Sequence, residues 1–149
     1  PGGHRRFRRA DVVRFCRDNG LSMALPEDDT LRILIVDDDE AITSVLERFF
    51  RHTRDGVETK ITSSGFDAGR LVASFEPHVV LLDLMMQGVD GFEVCRTIKS
   101  DPATNATRVI AMTGFYDNEN LERILSLGAE ACLSKPFDFN TLKETIGIE

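Results

Sequence analysis

The chain has 149 residues, 42% of them apolar and 29% charged, with a net charge of −7 at neutral pH. That length suits one domain with a buried core plus a short extra segment, and it excludes both two full domains and wholesale disorder. No apolar run approaches the roughly 20 residues of a membrane span and the start carries no signal-peptide-like stretch, so no membrane association and a cytoplasmic location are expected.

The charge is unevenly spread. Residues 1–18 carry six arginines against Asp11 and Asp18, a balance of +4, whereas residues 19–149 carry 12 Lys/Arg against 23 Asp/Glu, a balance of −11. An acidic domain preceded by a basic element is expected, the latter facing something anionic. The chain begins at Pro1 rather than Met, and we expect it to be a piece of a longer protein. The Gly2-Gly3 pair suits a tight turn, and Arg5, Arg6, Arg8 and Arg9 flank Phe7. Ala10, Val13 and Phe15-Cys16 then give a short helix face that Asn19-Gly20 stops. Arginines at a turn before a helix suit phosphate contact, although a bare Arg run is more often a solvated tail. Residues 21–30, with Pro26 ahead of Glu27-Asp28-Asp29, read as a linker.

From Leu31 the pattern becomes regular. Leu31 to Val36 is a short β-branched-rich run ending in acids, as a buried parallel strand should be. Ile42, Val45, Leu46, Phe49 and Phe50 fall at helical spacing, predicting an amphipathic helix from Glu40 to about His52. Val57 to Thr62 reads as a second strand, and Gly65 to Phe75 as a helix that Pro77 terminates. His78 to Leu82 is a third buried strand that delivers Asp83. A helix over Phe92 to Lys99, a strand over Arg108 to Met112 and a helix over Asn118 to Leu127, capped by Gly128, come next. Ala129 to Leu133 is the last strand, and Asp138 to Ile146 the last helix, with Asp138 as its N-cap. Strict alternation of five strands and five helices predicts an α/β fold with a parallel sheet covered on both faces. In such a sheet, ligand chemistry gathers at the carboxyl ends of the strands.

Those ends carry an unusual set. The first strand runs into Asp37, Asp38, Asp39 and Glu40, the third into Asp83, the fourth into Thr113, and the fifth into Lys135-Pro136. One acid at a strand end usually caps a helix or sits in a solvated turn. Several carboxylates converging in one crevice repel one another and call for a cation. An all-oxygen cluster without nearby His or Cys suits Mg²⁺ or Mn²⁺, which keep waters and leave room for a phosphate. A hydroxyl and an ammonium beside it offer a hydrogen bond and a charge to phosphoryl oxygens, and a carboxylate between such a cation and a lysine is a credible nucleophile toward phosphorus.

With these residues in view, 31–149 resemble the receiver domain of two-component response regulators. The resemblance rests on the acidic pair after Ile33-Leu-Ile-Val36, Asp83-Leu-Met-Met86 followed by Asp90-Gly91, Met112-Thr113-Gly114, and Lys135-Pro136-Phe137. It implies a flavodoxin-like, doubly wound five-stranded parallel sheet in the order 2-1-3-4-5. It also implies that Asp83 is a phosphoacceptor served by a histidine kinase or phosphotransfer protein. Asp37 and Asp38 match the acidic pair, Asp38 and Asp83 would be carboxylate ligands of Mg²⁺ (or Mn²⁺), and the Met85 backbone carbonyl would be a third. Thr113 and Lys135 would each contact a phosphoryl oxygen. Asp39, one position beyond the pair, is expected to cap the first helix, and a cis Lys135–Pro136 bond is expected to turn the chain. Such a domain catalyses only its own phosphorylation and dephosphorylation. Residues 1–20 are similar to the wing and following helix of excisionase- and MerR-like winged helix-turn-helix domains, which implies a parent that binds DNA through a domain lying upstream.

Two positions depart from the receiver pattern. Gln87 and Gly88 stand where many receivers have a proline four residues after the phosphoacceptor, so a less rigid loop is expected. Cys132 stands where many receivers have an aromatic residue that swings inward with Thr113, so the signal is expected to leave through residues 114–127 and the last strand and helix, a face (114–146) suited to a homodimer. These departures keep open a second reading, a phosphorylation-independent interaction module of the same fold. A phosphohydrolase is weaker, because no acid follows Asp83 at two residues. Cys16, Cys95 and Cys132 are odd in number and widely spaced, and with His4, His52 and His78 they match neither a disulfide framework nor a zinc site.

Overall fold

The run Ile33-Leu-Ile-Val36 has no polar side of its own, so it is stable only where both faces are covered. It forms most of β1 (Leu31–Val36), the second strand of the sheet, and these four residues are completely buried. The computed structural model describes residues 18–20, 30–53 and 55–148. The chain separates into two units, Pro1–Thr30 and Leu31–Glu149. In the first, Asn19 and Gly20 form a turn, while residues 1–17 of the winged-helix resemblance and 21–29 of the linker lie outside the described residues.

In the second unit, strands and helices alternate throughout: β1, α1 (Glu40–Thr53), β2 (Val57–Thr62), α2 (Gly65–Phe75), β3 (Val79–Asp83), α3 (Gly91–Ser100), β4 (Arg108–Thr113), α4 (Asn118–Ser126), β5 (Ala131–Ser134) and α5 (Phe139–Ile146). The five strands pair in parallel in the order β2-β1-β3-β4-β5. Side chains alternate across each central strand and divide the core in two. Ile33, Ile35, Val79, Leu81, Ile110 and Met112 meet α1 and α5 through Leu46, Phe50, Leu142 and Ile146. On the other face, Leu34, Val36, Val80, Leu82, Val109 and Ala111 meet α2, α3 and α4 through Val72, Cys95, Ile98 and Ile124.

Element boundaries differ from expectation by a residue or two where local hydrogen bonding takes over. His78 stays outside β3, its amide donating to Arg32 O. The last strand begins at Ala131 rather than Ala129, because Gly128 and Ala129 finish α4. Their amides donate to Leu125 O and Ile124 O, the pattern of a Schellman cap. Asp138 caps α5 as expected, accepting the Thr141 amide at 2.7 Å. Among the described residues, no helix is long and apolar enough to cross a membrane.

Candidate functional site

Because the central strands stay apolar to their last residues, the first polar side chain after each is held at the rim of the core. Asp37 follows Val36 and is 2% exposed. Its Oδ1 accepts the Asp39 amide at 3.0 Å, and its Oδ2 accepts the Lys135 ammonium at 2.7 Å. Asp38 is exposed, and its Oδ2 accepts the Gln87 amide at 3.2 Å. Asp39 turns away and caps α1, taking the Ala41 amide on Oδ1. Asp83 ends β3 at 5% exposure; its Oδ1 accepts the Met85 amide at 3.0 Å, and its Oδ2 lies 3.4 Å from Lys135 Nζ.

Lys135 reaches these groups because its own amide donates to Thr113 O at 2.7 Å, which extends β4–β5 pairing to the rim. The Lys135–Pro136 bond is cis, as expected, and the chain turns there toward α5. Carboxylate oxygens of Asp37, Asp38 and Asp83 lie within 4.8 Å of one another. Among the described residues, Lys135 is the ammonium that ion-pairs with this cluster, so one positive charge faces three negative ones. Burial pushes the Asp83 carboxyl above its usual value; the Met85 amide opposes that shift, the Asp37 charge adds to it, and Lys135 opposes it. An oxygen-only donor set with an excess of negative charge fits a hard divalent cation such as Mg²⁺ or Mn²⁺.

The arrangement joins a cation-seeking carboxylate group, a buried carboxylate and a lysine at the carboxyl edge of a doubly wound sheet. A family profile described as the response regulator receiver domain matches residues 33–147. The chain belongs to that family. Over 107 residues this receiver is 38% identical to the response regulator PleD of Caulobacter vibrioides, covering 72% of this chain and 23% of that protein. Over 106 residues it is 33% identical to the DNA-binding response regulator MtrA of Mycobacterium tuberculosis, covering 71% of this chain and 44% of that protein. The chain thus spans less than half the length of these relatives. Among solved structures, it resembles the signal receiver domain of a DNA-binding response regulator protein (merR) from Colwellia psychrerythraea, with 45% identity and a TM-score of 0.75, covering 78% of this chain and 95% of that one.

Within this receiver the expected residues divide into those that meet and those that stand apart. Asp37, Asp38, Asp83 and Lys135 come together, and Met85 joins them through its amide. Thr113 is buried one residue beyond the Asp83–Met112 pair, but its hydroxyl is turned into its own loop, donating to Phe115 O and accepting the Phe115 amide, both at 3.1 Å. Cys132 pairs with Ala111 in β5 and packs half-buried against the α2–α4 side of the core. Burial pushes its thiol up, and that of Cys95 to about 11, so both stay protonated at neutral pH.

Two residues named from the sequence make contacts at the site that the sequence did not foretell. The Gln87 amide joins Asp38 across 49 residues, a contact without any local signal. Gly91 lets α3 start against the Asp83 loop: a Cβ there would lie 2.7 Å from Leu84 Cα and 2.8 Å from Asp83 O. Here a signal did exist, in Asp90-Gly91 at a helix start, with Asp90 accepting the Phe92 and Glu93 amides.

Proposed function

We propose that this receiver takes a phosphoryl group onto Asp83 from a histidine kinase or phosphotransfer protein in the cytoplasm, and that the modification switches the output of a longer, DNA-binding parent. The observation that carries this reading is the buried Asp83 carboxylate lying 3.4 Å from Lys135 Nζ and within 4.8 Å of the Asp37 and Asp38 oxygens. Asp38, Asp83 and the Met85 carbonyl would hold Mg²⁺ or Mn²⁺, with Asp37 beside them. When bound, the cation supplies charge neutralisation at the phosphoryl oxygens.

A carboxylate oxygen of Asp83 forms the new bond to phosphorus as the phosphohistidine P–N bond breaks, and the bond electrons leave with the imidazole, which takes a proton. Strand β3 holds the nucleophile in place, and the Met85 amide on Oδ1 fixes its plane. The Lys135 ammonium pairs with a phosphoryl oxygen as it gives up part of its contact with Asp37. The Thr113 hydroxyl, released from Phe115, bonds another. No outside substrate is turned over.

An apolar groove of about 430 Å³ runs beside Lys135, between α1 and the start of α5. It is lined by Ile42, Val45, Pro136, Phe137 and Phe139, and offers the donor a docking face next to the nucleophile. DNA binding would reside upstream, in keeping with the arginine-rich start and with the DNA-binding regulators among its relatives.

The test is incubation with acetyl phosphate and Mg²⁺ followed by intact-mass measurement. One adduct of ~80 Da is expected, absent without Mg²⁺ and absent in Asp83→Asn. An adduct that persists in Asp83→Asn, or none in the parent with any donor, would sink the assignment. Cys132, without a ring to swing, supports the second reading of a phosphorylation-independent interaction module. Hydrogen exchange with and without beryllofluoride separates the two. Under the switch reading, protection changes at residues 114–127, where Phe115, Tyr116 and Leu125 are exposed, and self-association through the 114–146 face increases. Changes confined to the Asp83 loop favour the module.

A further inference from the structure

Helix α4 is fastened to α3 in two different ways. At its carboxyl end the hold is close: Leu127 O accepts the buried Cys95 thiol at 3.8 Å, and a Cβ on Gly128 would come within 2.8 Å of Lys99 Cγ. Along the rest of its length α4 buries only Ile124. Its middle meets α3 through the guanidinium of Arg123, which lies 4.1 Å from the centre of the Phe92 ring. That ring stands next to the functional site. Phe92 is 7% exposed, and its amide is taken by the Asp90 cap. It directly follows Gly91, where a Cβ would lie 2.7 Å from Leu84 Cα and 2.8 Å from Asp83 O. Backbone rests on backbone there, so a displacement of the Asp83 loop carries the first turn of α3 and its ring with it. On the other side, the loop leading into α4 is in the arrangement where the Thr113 hydroxyl bonds Phe115 rather than a group at Asp83.

We infer that Arg123 is a latch on Phe92 that holds α4 in its unphosphorylated position: α4 pivots about its fastened carboxyl end, and the cation–ring contact opens when Thr113 is drawn toward Asp83. The aromatic group that couples the site to the surface then sits on α3 beside the Asp83 loop, in a chain whose Cys132 leaves β5 without one. A cation is attracted to the face of a ring and loses that attraction once it moves off it. The contact therefore favours one position of α4, and only a contact that differs between two states can bias their equilibrium. The Cys95 bond and the close approach at Gly128 serve both positions. The inference rests on the phosphorylation reading proposed above.

Calorimetric titration of the full chain with beryllofluoride, a phosphoryl mimic, in the presence of Mg²⁺ tests the latch. A contact confined to the resting position opposes the mimic, whereas one made equally in both positions leaves its affinity alone, however much it stabilises the fold. Arg123→Gln keeps most of the side-chain length and loses the charge. It should bind the mimic about two- to fivefold more tightly than wild type, the factor set by an exposed cation–ring contact. Arg123→Lys keeps the cation and should stay nearer to wild type. Phe92→Leu should also tighten binding, and adding Arg123→Gln to it should bring no further gain. Without the mimic, hydrogen exchange in Arg123→Gln should quicken over residues 114–122 and stay at the wild-type rate at the Gly128 and Ala129 amides, which close the fastened end on Leu125 O and Ile124 O. Unchanged or weaker mimic binding in Arg123→Gln would overturn the inference. So would an Arg123→Lys that matches Arg123→Gln, or exchange that quickens equally at Gly128 and Ala129. A wild type that binds the mimic with variants that bind it no better refutes the latch alone, while a wild type that never binds it refutes the phosphorylation reading and the latch together.

Discussion

Replacing Lys135 with methionine removes the ammonium from between two buried carboxylates while nearly keeping the side-chain volume. Its Nζ stands 2.7 Å from Asp37 Oδ2 and 3.4 Å from Asp83 Oδ2, and the three side chains are 15%, 0% and 6% exposed. At an effective dielectric constant of about 20, these separations correspond to gross attractions of roughly 6 and 5 kcal/mol. The desolvation of Lys135, no longer required in the variant, offsets much of that, and breaking a buried pair from one side costs about 3–5 kcal/mol. Asp38 opens the site to water, which favours the low end, about 3 kcal/mol. For a domain of this size that is a fall of roughly 10 °C in Tm. Urea unfolding of Lys135→Met at pH 7 in the presence of a chelator measures it. Two further results identify the cause as charge. Mg²⁺ should restore part of the loss, since it supplies the missing positive charge. The deficit should also shrink in acid. Losing Lys135 removes an influence that lowers the Asp83 pKa, so this carboxyl titrates higher in the variant; the deficit is full above that pKa and fades as pH falls through it. A difference from wild type below about 0.5 kcal/mol, the scatter of an ordinary surface change, would refute the reasoning, as would a deficit indifferent to both Mg²⁺ and acid.

Asp83→Asn should stabilise the metal-free protein at neutral pH. Burial raises the Asp83 pKa in the folded state, so its ionised form lowers stability as pH rises from 3.8 through the raised value; the advantage of Asp83→Asn should therefore be full above that value and close as pH falls toward 3.8, as read from Tm across pH. Gly91→Ala forces a Cβ to within 2.7 Å of Leu84 Cα; a loss of about 2 kcal/mol in urea unfolding is expected, and a neutral result would mean that α3 can withdraw from the Asp83 loop. Met85 and Phe115 are exposed beyond β3 and β4, and neither can hydrogen-bond a water held in line with phosphorus, so the phosphorylated form should be long-lived. Met85→Asn or Met85→Glu should speed phosphate loss followed by intact mass, and equal decay rates would count against that role.

Much of this was legible before folding because it is local. The apolar run Ile33 to Val36 demands cover on both faces whatever surrounds it, and Ile42, Val45, Leu46 and Phe49 define a helix face by spacing alone. Strict alternation then restricts the sheet to parallel pairing, and the first acids after β1 and β3 must emerge at one edge of it. Asp37, Asp38, Asp83 and Lys135 could therefore be named together from their places at strand ends, and the Asp39 and Asp138 caps from their places before helices. Tertiary structure alone decided which atoms meet. Whether Lys135 favours Asp37 or Asp83 depends on differences of tenths of an ångström between strand ends. The Thr113 hydroxyl faces Phe115 because that loop folds back on it. The start of β5 moved because Ala129 closes the Schellman cap of α4 before it can join the sheet. The Gln87 amide reaches Asp38 because β1 and β3 are neighbours, a contact that a glutamine in a loop does not announce. Spacing along the chain carries the periodic and nearest-neighbour terms, whereas hydrogen bonds between loops 49 residues apart exist only once the sheet has set their distance.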